Sequence, residues 1–262
     1  MSVKPLIIGH RGASALAPEN TLAAFDLALK SGADGIEFDV RLSRDGVPVI
    51  IHDKTLRRTG LRPEPVSDLT VAELQRVNVA AWFSQRLQPG SNEFVNQTIP
   101  TLEELFVAFP APGIVFYLEM KPEPSQRREL VSACCQLLKQ HPSKGQVIIE
   151  CFDLAALKLV KTIDPLLRTA ALFEPKLTRQ LWPSAQRLVD QATAVGADEI
   201  ALHHRLATRG TIAKALLANL KGAVWTVDNP AWVAKAHKLG IQTLITNDPA
   251  SMLVKRQSIR AD

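Results

Sequence analysis

The stretch Gly35-Ile-Glu-Phe-Asp-Val-Arg-Leu-Ser-Arg-Asp-Gly-Val-Pro-Val-Ile-Ile-His52 holds two β-strand patterns with a turn signal between them. Residues 35–40 alternate apolar and charged side chains, and residues 47–52 are rich in branched apolar side chains. Only six residues separate the two segments, whereas a parallel crossover requires a dozen or more. Because Asp45-Gly46 is a strong hairpin signal, the stretch predicts an antiparallel pair.

The register of this hairpin depends on the length of its loop. A two-residue Asp45-Gly46 loop places His52 opposite Asp39, whereas a four-residue loop places it opposite Glu37. Side chains alternate between the two faces of a strand with a period of two residues. Both registers therefore predict that His52 shares a face with Glu37 and Asp39.

The rest of the chain alternates short β-branched runs with helical patterns, which is typical of βα units around a parallel sheet. Pairing two of nine strand candidates as the hairpin leaves eight parallel strands. We therefore predict an α/β fold, a (β/α)8 TIM barrel. The nine candidates are residues 6–10, 35–40, 47–52, 114–121, 146–151, 167–173, 199–203, 223–227 and 243–246.

The length and composition of the chain fit one large domain. The 262 residues are 46% apolar, which is enough to bury a sizeable core. Residues 54–100 are richer in Pro, Asn and Gln and show no clear strand. We expect a single barrel domain over 1–262, with a small insertion at about 54–100 that contains one helix at 71–77. Trp82 and Phe83 are expected beneath this insertion or at a pocket rim.

Charge and hydropathy exclude several classes of protein. The net charge is +5 and no dense basic patch is interleaved with aromatic residues, so we expect no nucleic-acid partner. No run of about 18 apolar residues occurs, so we expect no membrane span. The N-terminal stretch has no small-residue cleavage site, and the odd set Cys134, Cys135 and Cys151 fits free thiols. These features predict a cytoplasmic protein.

Polar side chains close several of the predicted strands. His10-Arg11, Glu37-x-Asp39, His52-Asp53 and Glu119-x-Lys121 each follow or end an apolar run. In a parallel barrel these ends share the C-terminal face, where barrel enzymes place their active sites. Residues that are distant in the sequence are therefore predicted to meet at one rim.

The chemistry of these side chains indicates a metal-assisted reaction on an anionic substrate. The carboxylates of Glu37, Asp39 and Glu119 would repel one another unless a cation neutralises them, and an all-oxygen set selects Mg²⁺ or Ca²⁺ rather than zinc. Arg11 and Lys121 add positive charge that suits a phosphate ester. The imidazoles of nearby histidines can move protons.

Other candidates have simpler interpretations. Trp225 ends a late strand and either fills the core or stacks against substrate. His203 and His204 also end a strand, but a catalytic role is not favoured for them. His141 and His237 are expected to be solvated, and nothing beside Cys151 suggests a nucleophile.

Several motifs, in order, resemble the glycerophosphodiester phosphodiesterase family over essentially the whole chain. They are His10-Arg-Gly-Ala, Pro18-Glu-Asn-Thr-Leu-Ala-Ala-Phe, Gly32-Ala-Asp-Gly-Ile-Glu-Phe-Asp-Val, Asp45-Gly-Val-Pro-Val-Ile-Ile-His-Asp, Ile99-Pro-Thr-Leu-Glu-Glu, Leu118-Glu-Met-Lys, Val224-Trp-Thr-Val-Asp and Leu244-Ile-Thr-Asn-Asp-Pro. The matches are most specific over residues 10–53 and weaker after residue 125.

The resemblance implies a TIM barrel that hydrolyses glycerophosphodiesters to an alcohol and sn-glycerol 3-phosphate. It implies metal ligands at Glu37, Asp39 and Glu119. Ligand chemistry favours Mg²⁺ at this site, with Ca²⁺ as the alternative. It also implies acid/base histidines at His10 and His52, and phosphate contacts from Arg11 and Lys121. Trp225 is a further candidate for substrate contact because it ends a strand.

The sequence departs from the family pattern at Cys151, where Ser is frequent, at Gly60, where a second Thr is usual, and at Asp228, where Asn is common. Such changes could alter headgroup preference.

Two competing functions remain open at this point. One is a related phosphodiesterase on the same barrel, of lysophospholipase D or phosphoinositide phospholipase type, with an apolar path built from Trp82, Phe83 and Phe94. The other is a module that binds phosphodiesters without cleaving them, which would be expected to lack one of the two histidines. The sequence leaves the headgroup and the oligomeric state open.

Overall fold

The computed structural model describes residues 4–84, 94–110, 112–141, 146–175 and 183–259. Eight parallel strands in this part of the chain form a closed barrel, because the first pairs with both the second and the last. The predicted (β/α)8 TIM barrel is confirmed. Its strands are β1 (Leu6–His10), β2 (Gly35–Leu42), β4 (Val115–Met120), β5 (Val147–Cys151), β6 (Arg168–Phe173), β7 (Glu199–His203), β8 (Lys221–Trp225) and β9 (Thr243–Thr246), while β3 (Pro48–Ile50) is the antiparallel hairpin partner of β2.

Helices surround the barrel, and most begin at a side chain that caps the first turn. Thr21, Thr101, Asp153, Ser184, Thr208 and Asp248 each accept a hydrogen bond from a backbone N–H in the first turn of the helix that follows. The helices are α1 (Leu22–Lys30), α2 (Val71–Leu74), α3 (Ala81–Ser84), α4 (Leu102–Ala108), α5 (Arg127–Gln140), α6 (Leu154–Ile163), α7 (Ala185–Ala194), α8 (Arg209–Leu217), α9 (Ala231–Leu239) and α10 (Pro249–Gln257). The start of the predicted helix over 178–195 lies outside the described residues.

Strand alternation divides the core into two layers. Ile36, Phe38 and Val40 point outward from β2 and pack in the large cluster between the barrel and the helices. The opposite faces fill the barrel with a smaller apolar set that includes Ile8 and Tyr117. Glu37 and Asp39 therefore point into the barrel, above its apolar interior.

The hairpin forms as predicted, but both predicted registers are wrong. Val40 pairs with Ile50, and the backbone N–H of Ser43 donates to the carbonyl of Val47 across a three-residue loop. Gly46 has a φ of 77°, the left-handed conformation that glycine adopts without steric cost. Continued along this register, His52 would lie on the outer face, but β3 ends at Ile50 and the chain bends at His52.

The insertion after this hairpin packs into two small apolar clusters. Helix α2 occupies the first half of the predicted helix over 71–77. Phe83 and Phe94 are buried together with Ala17 and Ala24, and Trp82 packs against them. The Trp82 and Phe83 rings meet edge to face at 5.7 Å. Residues 85–93 lie outside the described part of the chain.

No helix within the described ranges is both long and apolar enough to cross a membrane.

Candidate active site

The polar ends of the strands meet in one cavity of about 420 Å³ at the C-terminal mouth of the barrel. The wall residues that lie on strands, such as Glu37, Glu119 and Glu150, point into the cavity because side chains alternate along each strand. All the predicted site residues except Asp39, which lies buried behind the wall, line this cavity. Its lining comprises His10, Arg11, Glu37, Arg41, His52, Glu119, Lys121, Glu150, Phe152, Leu172, Glu174, Trp225 and Ile245. A second cavity is lined by Lys54, Pro65 and Ser125 among others. Its lining contains neither of the two predicted histidines and none of the three predicted metal ligands.

Three buried carboxylates form the acidic centre of this site. Glu37, Asp39 and Glu119 are 1%, 0% and 7% exposed, and each offers one oxygen within 4.8 Å of the others. Strand register explains the convergence, because Asp39 on β2 pairs directly with Glu119 on β4. Within the described part of the chain, Glu37 Oε1 has no hydrogen-bond or ion-pair partner, whereas Asp39 Oδ1 and Glu119 Oε1 face only the Lys121 ammonium. A buried carboxylate oxygen without a partner, beside two further hard oxygen ligands, fits a divalent cation.

The surroundings of the three carboxyl groups shift their pKa values in different directions. Burial and the neighbouring charges of Asp39 and Glu119 raise the pKa of Glu37 well above its usual value. Burial raises the pKa of Glu119 to about 7, an effect that Lys121 only partly offsets. For Asp39, burial is outweighed by Arg11 and Lys121, which hold its pKa well below the usual range. The Lys121 ammonium lies 2.5 Å from Glu119 Oε1 and 3.2 Å from Asp39 Oδ1.

His10 is held by a chain of side-chain hydrogen bonds. Its Nδ1 lies 2.6 Å from Asn247 Oδ1, and Asn247 Nδ2 in turn donates to Asp228 Oδ2 at 2.8 Å. Since the amide oxygen is an acceptor, Nδ1 carries the proton and the lone pair stays on Nε2, which lies 3.9 Å from Glu37 Oε2. Burial and the Arg11 charge lower the pKa of His10 to about 4. His10 is therefore neutral at pH 7.

His52 is held in a similar way by an acidic neighbour. Its Nδ1 lies 2.6 Å from Asp53 Oδ1, and Arg58 Nε donates to Asp53 Oδ2 at 2.7 Å. Arg58 also donates to both oxygens of Glu19. Burial lowers the pKa of His52, although the Asp39 charge opposes this. The arrangement leaves Nε2 of His52 available to a substrate.

Arg11 occupies a bend that directs its groups toward the acidic centre. Its φ is 54°, a left-handed conformation that is uncommon for a residue with a side chain. Its backbone N–H donates to Glu37 Oε2 at 2.9 Å, its Nε lies 3.1 Å from Asp39 Oδ2, and an Nη donates to Glu19 at 2.8 Å. Gly12 follows with φ of 84°, and a Cβ there would lie 2.5 Å from the backbone of Ala24. The turn therefore requires glycine at this position.

Aromatic side chains form another part of the cavity wall. Trp225 is half-buried, and its ring meets that of Phe152 edge to face at 5.6 Å. Nζ of Lys121 lies 5.8 Å from the centre of the Phe152 ring. Trp225 therefore lies where it can contact substrate, which was one of its two predicted roles.

The other candidates lie outside the lining of this cavity. His203 packs against Trp225 at 5.4 Å and accepts a hydrogen bond from the backbone N–H of Arg205. His141 is half-buried and stacks on Phe106, so the prediction of a solvated ring is wrong for it. Cys151 is buried, and its thiol donates to the Met120 carbonyl, in agreement with an inert role.

Sequence reasoning missed several residues that shape the site. Glu150, Arg41 and Glu174 line the cavity, and Asn247 and Glu19 orient its charged groups. Inward alternation along β5 could have indicated Glu150, since it lies two residues before Phe152. Asn247, the partner of His10, is far away in sequence and leaves no local signal.

The sequence model of the glycerophosphoryl diester phosphodiesterase family matches residues 10–251. The chain belongs to this family. The resemblance inferred from the motifs is thus confirmed, as is the prediction of an enzyme of the phosphoric diester hydrolase class.

Relatives match over almost their full length. The chain is 31% identical over 259 residues to a glycerophosphodiester phosphodiesterase of Caldanaerobacter subterraneus, covering 96% of this chain and 97% of the relative. It is 30% identical to a glycerophosphodiester phosphodiesterase of Bacillus subtilis, over 93% of this chain and 84% of the relative.

A solved structure of an Oleispira antarctica phosphodiesterase, in complex with the product sn-glycerol-3-phosphate, superposes with a TM-score of 0.84 at 27% identity, covering 97% of each chain.

Proposed function

We propose that the protein hydrolyses small-molecule glycerophosphodiesters, such as glycerophosphocholine and glycerophosphoethanolamine, to an alcohol and sn-glycerol 3-phosphate. The observation that carries this proposal is the single cavity in which a buried acidic triad, two histidines and two cationic side chains converge. The product named for the Oleispira antarctica structure supports the same substrate class.

We propose Glu37, Asp39 and Glu119 as ligands of one divalent cation. Their converging oxygens form an all-oxygen set, in which Glu37 Oε1 has no partner among the described residues, and such a set favours Mg²⁺ and would also accept Ca²⁺. A cation held there supplies positive charge that polarises a phosphodiester oxygen. The residues of this chain do the remaining work of binding, orientation and proton transfer.

Arg11 and Lys121 bind the phosphate in this proposal. Both are cationic and line the cavity, and the guanidinium of Arg11 presents planar donors that suit phosphate oxygens. Glu19 holds the guanidinium of Arg11, and Glu119 and Asp39 hold the ammonium of Lys121. Their positions are thus fixed before substrate enters, which lowers the entropy cost of binding.

His10 and His52 perform the proton transfers. One histidine takes the proton of the glycerol 2-hydroxyl as its oxygen attacks phosphorus, and the other gives a proton to the departing alkoxide as the P–O bond breaks. The product of this step is a cyclic phosphate. In the second step the histidine left neutral takes a proton from water as the water oxygen adds to phosphorus, and the other histidine returns its proton to O2 as the P–O2 bond breaks, which gives sn-glycerol 3-phosphate.

Two features of the structure count against the competing functions. Phe83 and Phe94, expected to form an acyl path, pack in their own buried cluster and do not line the cavity. Both histidines are present with Nδ1 engaged, so the machinery for proton transfer is intact in geometry.

The cytoplasmic location remains part of this proposal. It rests on the three cysteines, all within the described residues, which are buried and form no disulfide.

Release of sn-glycerol 3-phosphate tests the function. Purified protein is stripped with EDTA and assayed on glycerophosphocholine with Mg²⁺, Ca²⁺ or Mn²⁺ added back. We expect metal-dependent release by wild type and a loss of about 10²- to 10⁴-fold in kcat for His52→Ala. An absence of release with every metal, from protein with an intact circular dichroism spectrum, would refute the proposal.

A further inference from the structure

Glu150 is a fourth buried carboxylate that the proposed mechanism does not use. It is 2% exposed, lies on β5 and forms part of the cavity wall. Its Cα pairs in register with that of Glu119, yet it lies outside the triad whose oxygens converge. Among the described residues, no hydrogen-bond partner faces its Oε2.

Glu199, another buried carboxylate inside the barrel, has hydrogen-bond partners for both of its oxygens. Glu199 is equally buried, but its two oxygens are bound by the Tyr117 hydroxyl at 2.7 Å and by Arg168 at 2.5 Å. Buried polar atoms in proteins are normally paired in this way, because leaving one unpaired costs folding free energy. Since Oε2 of Glu150 has no such partner and the residue lines a cavity, we infer that a ligand supplies the missing hydrogen bond.

Glu150 lies between the acidic centre and the aromatic part of the cavity wall. On one side lies Glu119, where the cation and phosphate are proposed to bind. On the other side lies Phe152, which follows the last residue of β5 and belongs to the aromatic part of the wall. A group bonded to the phosphate and extending toward this wall passes Glu150. In glycerophosphocholine the glycerol moiety is the one of the two esterified groups that carries hydroxyls, and a hydroxyl can donate a hydrogen bond to the unpaired carboxylate oxygen.

We propose that Glu150 hydrogen-bonds the sn-1 hydroxyl of the glycerol moiety and so selects deacylated glycerol over glycerol acylated at that position. A hydroxyl both donates and accepts, so it pairs with a carboxyl group in either protonation state. The inference rests on the proposed function and names a specificity-determining residue for it.

Selectivity follows from what an acyl ester lacks. A lysophospholipid carries an ester where the deacylated substrate has a hydroxyl, and an ester oxygen cannot donate a hydrogen bond. A bound lysophospholipid would therefore leave the Glu150 carboxylate without a hydrogen-bond donor and would bury it next to an acyl chain. Sites built to pair with a hydroxyl discriminate strongly against analogues that lack it.

A binding measurement tests this independently of turnover. Calorimetric titration of the Mg²⁺-loaded protein compares sn-glycerol 3-phosphate with n-propyl phosphate, which has the same three-carbon ester without the hydroxyls. We expect wild type to prefer sn-glycerol 3-phosphate, and Glu150→Leu to reduce that preference by about 10-fold or more. Glu150→Gln, which keeps an acceptor oxygen, should retain part of it.

Glu174→Gln is the matched control, because it removes a carboxylate from the rim of the same cavity. Loss of a negative charge alone favours both phosphate esters equally and leaves their affinity ratio unchanged. A ratio unchanged in Glu150→Leu, or lowered equally in Glu174→Gln, would overturn the inference. Replacing an unpaired buried carboxylate with Leu should not lower the melting temperature, so the variant remains folded.

Turnover gives a second readout. The ratio of kcat/KM for glycerophosphocholine to that for 1-acyl lysophosphatidylcholine should fall about 10-fold or more in Glu150→Leu, mainly through a higher KM for glycerophosphocholine. An equal loss on both substrates would contradict the inference while leaving the hydrolase proposal intact. Wild type that cleaves neither substrate but shows the expected binding ratios would refute the hydrolase proposal alone.

Discussion

Replacing Glu119 with Gln should stabilise the metal-free protein, and more so as the pH rises. Glu119 is buried beside two other carboxylates, and ionising it without a bound cation places one more negative charge among them. Glutamine has nearly the same shape and does not ionise. The substitution therefore removes a pH-dependent cost from the folded state and leaves the packing of the barrel in place.

The magnitude follows from the pKa of Glu119, which burial raises to about 7 from a usual value of 4.5. A carboxyl whose pKa is higher in the folded than in the unfolded state loses stability as the pH rises between those two values. Since one pKa unit corresponds to about 1.4 kcal/mol, the free energy of unfolding of wild type should fall by about 3 kcal/mol between pH 4.5 and 8 through this group. Glu37 and Glu150 add to the effect, because the charge of Glu119 helps to raise their pKa values.

Urea denaturation of EDTA-treated protein, followed by the fluorescence of its four tryptophans, provides the assay. The quantity of interest is the difference in unfolding free energy between Glu119→Gln and wild type, which should grow by about 3 kcal/mol from pH 4.5 to 8. Glu103→Gln, the same chemical change on the exposed side of α4, serves as the control. Added Mg²⁺ should stabilise wild type more than Glu119→Gln.

A difference that stays constant with pH, or that shrinks as the pH rises, would refute this reasoning. Such a result would mean that Glu119 ionises in the folded metal-free protein without cost, in spite of its burial. The negative charge of the acidic triad would then have to be neutralised by something other than a bound cation.

Three further substitutions test how the site is held. Asp53→Ala removes the partner of His52 Nδ1, so kcat on glycerophosphocholine should fall about 10²-fold with little change in KM, and unchanged kinetics would exclude an orienting role. Asn247→Ala should lower kcat to a similar extent by freeing the His10 ring; a selective rise in KM instead would contradict that role. Gly12→Ala should lower the unfolding free energy by more than about 1 kcal/mol, because φ is 84° there, and a variant as stable as wild type in urea would show that the bend tolerates a Cβ.

The barrel could be predicted from local patterns because each βα unit has its own signal. Alternating side chains in β2 and the Asp45-Gly46 turn identified the hairpin, and the remaining apolar runs supplied eight parallel strands. The loop could not be predicted in the same way. Its three residues and the left-handed Gly46 set a register that no residue type in the stretch dictates, and His52 reaches the cavity only because β3 ends at Ile50.

The site shows the same division between local and distant information. Glu37 and Asp39 share a face because of strand alternation, which is visible in sequence, and the register of β2 with β4 then brings Glu119 beside them. The partner of His10 is different. Asn247 lies at the other end of the chain and meets it only because β9 closes the barrel onto β1.

Phosphorus-31 NMR of glycerophosphocholine turnover tests the central claim most directly. With Mg²⁺-loaded wild type, we predict a signal of sn-glycerol 3-phosphate with no phosphocholine, because the bond to the headgroup oxygen is the one that breaks. Removal of the metal with EDTA should stop the reaction, and Glu37→Gln should weaken its dependence on added Mg²⁺. Accumulation of phosphocholine, or turnover at the same rate in EDTA, would contradict the account.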